Sequence, residues 1–296
     1  MIVDCHTHIM WYPEHIADQY AEEALASKIV KLRRSGGEAY QASLDKHSYD
    51  STPEEHWKMS EPADKVVVFG FQAKATGLWV PNEVIAEYVG RHPEKLVGWA
   101  SVDPTDPGCL EQLEYCVKYL GLRGLKLGPT YQHFDPQDRQ YWPLFEKCEE
   151  HNLPIMWHQG ATFPSSARLK WALPLQLEDV AMAFPGLRMV VAHLGHPWEE
   201  DTIVLIRKCP NLYTDVSALH YRPWRYWQAM TTAIEYGVEH KILLGSDFPS
   251  GTIANVINGL RNINRPVERA GLPLVPEDVQ DQIIFENWKG FFPDWA

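Results

Sequence analysis

The sequence has no excess of positive charge, no paired cysteines, no glycine-rich phosphate turn and no apolar run long enough to cross a membrane. Each absence removes a class of function. Lys and Arg number 27 against 39 Asp and Glu, a formal net charge of −12. This balance speaks against a nucleic-acid or anionic-membrane surface, while leaving room for a locally positive pocket. The five cysteines, Cys5, Cys109, Cys116, Cys148 and Cys209, are odd in number and scattered, with no CxxC pair. They make no disulfide framework, and a reducing, cytoplasmic setting is the simpler expectation. No charged start followed by an apolar stretch suggests a secretory leader. No run approaches the roughly 20 apolar residues of a membrane helix. GxGxxG and GxxxxGK, which cradle nucleotide phosphates, do not occur.

What is present is an ordinary charged fraction, 22% of 296 residues, in a chain long enough for a sizeable α/β core. Ile2-Val3-Asp4-Cys5 reads as a short buried strand running into His6-Thr7-His8. Residues two apart on a strand share a side, so His6 and His8 project together from its C-terminal end. Cys5 is expected on the opposite face, as packing. Two adjacent imidazoles suit a divalent cation. A lone His-x-His is more often two ordinary histidines than a metal site, so the later strand ends decide.

Residues 11–60 read as a polar insertion. Ala17–Leu32 has helical spacing, Arg33-Arg34-Ser35-Gly36-Gly37 breaks it, and a second helical stretch runs to about Tyr49. Ser51-Thr52-Pro53-Glu54-Glu55 has the pattern of a helix start. Placed directly after the histidine strand, the insertion is either a lid or else a surface excursion or an oligomer contact.

From there the punctuation is regular. Apolar strands at Lys65–Gly70, Leu96–Val102, Arg123–Leu127, Pro154–His158, Arg188–His193, Asn211–Val216 and Lys241–Leu244 alternate with helical stretches. Those stretches include Pro81–Arg91, Pro107–Leu120, Tyr141–His151, Leu175–Phe184, Glu199–Lys208, Trp224–Tyr236 and Ile253–Ile263, and one more helix runs from Pro276 to Phe292. With Ile2–Cys5 this makes eight strands, and continuous apolar strands alternating with helices imply a parallel sheet covered on its outer face. The expected fold is α/β, a (β/α)₈ TIM-type barrel with a helical insertion after strand one, forming a single domain over residues 1–296. A doubly wound open sheet is the runner-up, but it would carry a glycine-rich turn where His-Thr-His stands.

In such a barrel, reactive groups sit at strand C-termini. Strand one ends in His6 and His8, strand four carries Lys126, strand five ends in His158, strand six in His193 and strand eight in Asp247. Four histidines and a carboxylate on one rim point to a metal site with an open coordination position.

Taken together, DCHTH, the strand-five histidine, HLGHP and GSDFP resemble the amidohydrolase superfamily. More narrowly, they resemble the amidohydrolase-related group that contains aminocarboxymuconate semialdehyde decarboxylase and γ-resorcylate decarboxylase. The likeness extends from DCHTH to FENWKGFF. It implies one divalent metal ion, zinc in the first place with manganese as the other candidate. By motif position His6, His8, His158 and Asp247 are the implied ligands, with Asp247 and His193 as the catalytic pair. His193 is either a second-metal ligand or a catalytic residue beside the metal. Lys126 is either a carbamylated bridge between two metals or an ammonium that contacts substrate, and the resemblance favours the single-metal form.

His196, Arg168, Arg222 and Trp198 are candidate substrate contacts, and Trp11, Trp79 and Trp157 join Trp198 as a hint of a flat acid. Tyr131, His133 and Gln159 lie in loops beside rim residues. The expected activity is a metal-dependent hydrolase acting on a small carboxylated or cyclic substrate through an activated water, with Asp247 shuttling the proton. The alternative on the same site is a non-oxidative decarboxylase of an aromatic or unsaturated carboxylic acid, with Arg168, Arg222 and Arg225 as candidate anion clamps. A binding protein that has lost catalysis would need a gap in the rim set, and there is none. Expected partners are a small-molecule substrate and, as the resemblance allows, a second copy in a homodimer, with no nucleic acid and no membrane.

Overall fold

Runs such as Lys-Val-Val-Val-Phe at 65–69 favour extended backbone, because β-branched side chains fit a pleated surface better than a helix. Eight such segments build the protein, seen here in a computed structural model that describes residues 1–34 and 44–295. They are β1 (Val3–His8), β2 (Lys65–Phe69), β3 (Leu96–Ser101), β4 (Leu125–Leu127), β5 (Ile155–Trp157), β6 (Met189–Val191), β7 (Leu212–Asp215) and β8 (Ile242–Leu243). All neighbours pair in parallel, in chain order. The seam between β8 and β1 is held by backbone bonds from Cys5 N to Leu244 O (3.0 Å), Asp247 N to His6 O (2.7 Å) and His8 N to Phe248 O (2.9 Å). The result is the expected (β/α)₈ barrel. No helix among the described residues is long and apolar enough to cross a membrane.

Side chains alternate between the two faces of each strand. Val66 and Val68 pack outward under the helices, while Val67 and Phe69 face the barrel interior. The interior layer of Val3, Val67, Trp99, Met156, Val190 and Leu243 is closed at the strands' N-terminal end by Trp288, Phe291 and Phe292.

β1 departs from simple alternation. Asp4 pairs with Val66 and Thr7 with Val68, so β1 carries one residue more than its partner over this span. This bulge turns Cys5 into the interior layer as well as His6. The expectation that Cys5 faces away from the histidines is therefore corrected, and its thiol packs beneath them.

Between β1 and β2 lie the helices Asp18–Arg34 and Pro53–Met59. The second starts on a capping box, with Glu55 N donating to Thr52 Oγ1 and Thr52 N to the Glu55 carboxylate. The helical stretch expected up to Tyr49 falls partly at 35–43, outside the described residues, and 44–50 form turns and bends instead.

Three further expectations change. Leu175–Phe184 divides into a 3₁₀ turn, Pro174–Leu177, and a short helix, Glu178–Ala183. Pro276–Phe292 divides into Glu277–Phe285 and Trp288–Phe291. Between them the Asn287 side-chain amide is drawn to Glu239 O and Ile242 O, 2.8 Å each, so the chain turns to meet β8. Finally, β6 stops at Val191, and His193 and Leu194 take left-handed φ values of 59° and 50°.

Candidate metal centre

The strand ends converge on one cluster. The bulge in β1 sends His6 inward with His8, their ring centroids 5.3 Å apart. Asp247, just past β8, also has a positive φ of 56°. That turn brings its Oδ1 to 3.3 Å from His6 Nε2 and 3.4 Å from His8 Nε2. The left-handed turn after β6 lays His193 over His6, with ring centroids 5.1 Å apart and an interplanar angle of 25°. His6, His193 and Asp247 each offer a ligand atom, and all three atoms lie within 4.8 Å of one another. His158, which follows β5, sits 5.1 Å from the His193 ring. A side chain at Gly128, after β4, would collide with Phe71 Cζ at 2.5 Å and press on His158 at 3.3 Å, so glycine there leaves room for both rings.

A buried carboxylate fixes two of these rings. His6 Nδ1 lies 2.8 Å from Asp215 Oδ2, so it donates there and leaves Nε2 as a lone pair facing the cluster. Ser217 donates its hydroxyl to Asp215 Oδ1, so that hydroxyl accepts from His193 Nδ1 at 2.7 Å. His193 too then presents an acceptor Nε2. Holding a ligating imidazole by its far nitrogen is the usual outer support of a metal site. From outside the barrel, Thr7 Oγ1 donates to Val67 O (2.6 Å) and accepts from His56 Nε2 (2.8 Å), while the Tyr88 hydroxyl meets His56 Nδ1 (2.8 Å). This chain pins β1 between its two histidines.

The charge states suit a cation. Burial pushes His8 down to about 4 and His193 to about 3, and holds His158 well below the ordinary imidazole range. Burial alone would raise the Asp247 carboxyl, but His193, His8 and His6 around it outweigh that and keep it well below the carboxylate range. Neutral His8, His158 and His193 beside an ionised carboxylate suit a zinc-like ion. One observation tests the fit directly. His158 Nε2 is buried and has no hydrogen-bond partner among the described residues, an orphan that a cation would satisfy.

Lys126, from β4, is buried with Nζ 3.2 Å from His6 Nε2 and 4.9 Å from the Phe69 ring centroid. Burial lowers its amine to about 8, against the pull of Asp247 and Asp215.

Above the cluster opens a cavity of about 270 Å³, lined by His8, Lys126, His158, His193 and Asp247. Its walls include Phe71, Tyr131, Tyr20, Tyr49 and Phe163. Tyr131 meets His158 edge-on at 4.8 Å and Phe71 at 5.2 Å. His196 and Arg222 also line the cavity, and His196 Nδ1 is held 2.6 Å from the buried Glu199 carboxylate.

Other expected contacts lie elsewhere. Arg168 is exposed, and neither it nor Trp198 lines the cavity. Arg225 reaches Glu199 and Pro197 O. His133 bonds Ser166 O, and the Gln159 amide bonds Trp171 O and Leu173 O. The aromatic lining comes from Tyr and Phe and not from Trp11, Trp79, Trp157 or Trp198. Trp157 alternates with inward-facing Met156 and therefore packs outward against Phe145.

Asp215, Ser217, Lys31, Tyr49 and Tyr221 escaped the sequence reading. Asp215 had a signal, since it ends a recognised strand, as the other rim residues do. Lys31 had none, being one cation on a polar helix.

The sequence pattern of the family described as amidohydrolase matches residues 3–282 of this chain. A γ-resorcylate decarboxylase of Polaromonas sp. is 25% identical over 167 residues, 46% of this chain and 50% of the relative. A 2-amino-3-carboxymuconate-6-semialdehyde decarboxylase of Dictyostelium discoideum is 24% identical over 217 residues, 62% of this chain and 60% of the relative. A 2-keto-4-carboxy-3-hexenedioate hydratase of Sphingobium sp. is 25% identical over 227 residues, 66% of this chain and 65% of the relative. The chain thus spans between 50% and 65% of the length of these curated relatives. Among solved structures, an uncharacterized TIM-barrel protein of Bordetella bronchiseptica superposes with a TM-score of 0.73 at 19% identity, over 99% of this chain and 98% of the other. At that identity the likeness speaks for the fold alone.

Proposed function

Because the chain belongs to the amidohydrolase family, we propose that it is a metal-dependent carboxy-lyase removing CO₂ from a small aromatic or unsaturated carboxylic acid without oxidation. The observation that carries this reading is the ionised Asp247, 3.3 Å from His6 and 3.4 Å from His8, beneath an aromatic-walled cavity of about 270 Å³. A cavity of that size suits a single-ring acid. Four of five matching curated relatives are named as decarboxylases and the fifth as a hydratase, which puts this reading ahead of the hydrolase expected from the sequence.

His6, His8, His158, His193 and Asp247 would hold one divalent ion, zinc or manganese. When bound, such an ion supplies a Lewis acid that orients the substrate's oxygens and offsets their charge. The protein's own groups do the rest. Asp215 keeps His6 and, through Ser217, His193 in the tautomers that face inward with lone pairs. Tyr131 and Phe71 flank the space over His158 and confine a planar ring. Asp247 is ionised at rest; it takes one proton from solvent for each turnover and, once protonated, is a strong acid poised to give that proton to carbon. The C–C bond to the carboxylate then breaks, CO₂ leaves with no change in oxidation state of the protein, and the ring or alkene carbon keeps the proton from Asp247.

A second reading, addition of water or hydrolysis, is favoured by the same ionised Asp247, which is already a base at neutral pH. The experiment that separates them is a screen of the zinc- and manganese-loaded protein against hydroxybenzoic and unsaturated acids, lactones and amides. CO₂ release equal to acid consumed is expected. Water addition or ring opening without CO₂ would transfer the protein to the second reading.

A further inference from the structure

We propose that Lys31 and Arg222 form an anion subsite in the same cavity as the His–Asp cluster, so that the substrate is a small unsaturated or aromatic diacid. This deepens the carboxy-lyase reading and rests on it for the reaction, but not for the binding.

Lys31 comes from the helix Asp18–Arg34, and Arg222 from the loop after β7. Both line the cavity that holds Asp247 and His158. Their charges share one aromatic ring. Lys31 Nζ is 5.4 Å from the Tyr221 ring centroid, and the Arg222 guanidinium is 4.4 Å from it. Lys31 donates to Tyr49 Oη at 2.6 Å, and Arg222 to Ala218 O. No carboxylate among the described residues forms an ion pair with either cation, in a chain whose acids outnumber its bases 39 to 27.

Buried and half-buried cations ordinarily carry a counter-ion, because desolvating a charge without one is costly. Two like charges over one ring make the need greater. Burial on its own would push the Lys31 amine down, but Tyr221, Tyr49 and Asp247 hold it above its ordinary range, so it stays an ammonium. The Tyr49 hydroxyl accepts from Lys31 and still has its own proton to donate. Lys31, Arg222 and Tyr49 together therefore offer convergent donors to a carboxylate. The reacting carboxylate belongs at the His–Asp cluster, so the group at Lys31 and Arg222 is a second one on the same molecule. A spacer that carries two carboxylates within a cavity of about 270 Å³ is a ring or a short conjugated chain.

The test is calorimetric binding of isophthalate (benzene-1,3-dicarboxylate) and benzoate to the full chain, both metal-free and zinc-loaded. Wild type, Lys31→Met, Arg222→Met and Lys31→Arg are compared, each checked for wild-type melting. Isophthalate is expected to bind about tenfold or more tighter than benzoate in both metal states. Either methionine variant should erase most of that gap and change benzoate binding less than about twofold, while Lys31→Arg keeps most of it. Equal binding of the two probes by wild type, or a gap that survives both methionine variants, would overturn the subsite. CO₂ assays report separately. A diacid preference in binding without CO₂ from any acid would leave the subsite standing and remove the carboxy-lyase reading. CO₂ from monoacids as fast as from diacids, with no binding gap, would do the reverse.

Discussion

The two ends of the barrel are built from the same eight strands and filled in opposite ways. At the N-terminal end the interior holds Val3, Val67, Trp99, Val190 and Leu243, sealed by Trp288, Phe291 and Phe292. At the C-terminal end the same strands present His6, His8, Lys126 and Asp215, with His158, His193 and Asp247 on the turns just beyond. The first end is apolar, closed and internally satisfied. The second buries ionisable groups, leaves His158 Nε2 without a partner among the described residues, and bends the backbone to positive φ at His193 and Asp247. Non-glycine residues take that conformation at a cost, which the surrounding structure has to offset. Stability is concentrated at one end, and the tolerance for unfavourable local states at the other.

The sharpest way to break this contrast is one substitution at each end. Asp247→Asn is expected to lower turnover about 10³-fold or more, with melting close to wild type, because in the proposed mechanism it removes both a ligand and the proton carrier. Phe291→Ala, at a position with 0% exposure, is expected to cost about 3–5 kcal/mol in denaturant unfolding while the folded fraction keeps its specific activity. Steady-state kinetics and urea titration on both variants check the pair. Loss of activity at Phe291 with unchanged stability would erase the distinction between the ends.

Much of this was readable from the sequence because the candidate site residues obey a simple rule. His6, His8, His158 and Asp247 stand at the ends of recognisable apolar strands, so counting strands also picked out the candidate cluster. Asp215 obeys the same rule and was passed over, since a carboxylate that ends a strand but holds a histidine looks like any other acid. Cys5 was misdirected because a one-residue bulge leaves no trace in the alternation of residue types. Arg168 and Trp198 were overvalued because closeness in sequence to a rim residue does not decide which way a loop turns. Lys31 was out of reach, as its place in the cavity depends on how the helix Asp18–Arg34 packs across the barrel mouth.

A subtler test concerns the support beneath the C-terminal end. Asp215→Asn keeps the shape but weakens the hold on His6 and His193, and is expected to lower zinc affinity about 10–100-fold in chelator competition, with smaller change in melting. An unchanged affinity would reduce Asp215 to packing.

The smallest effect concerns acid. His56, buried between Thr7 and Tyr88, is pushed by burial from 6.5 down to about 3. An unfolded chain binds this proton near 6.5 and the folded one only near 3. The stability it contributes is thus complete above about pH 6.5 and is lost as pH falls toward 3. Between pH 7.5 and 5, His56→Gln is expected to lose stability less steeply than wild type in urea titrations. Parallel slopes would contradict this.

The account stands most directly on the metal content per chain, measured on protein purified without chelator, alongside His6→Ala and Lys126→Ala. About one zinc or manganese ion per chain is expected, falling sharply in His6→Ala and unchanged in Lys126→Ala. No bound metal in fully folded protein would contradict the centre described here, and two ions per chain that depend on Lys126 would replace it with a bridged, hydrolase-like site.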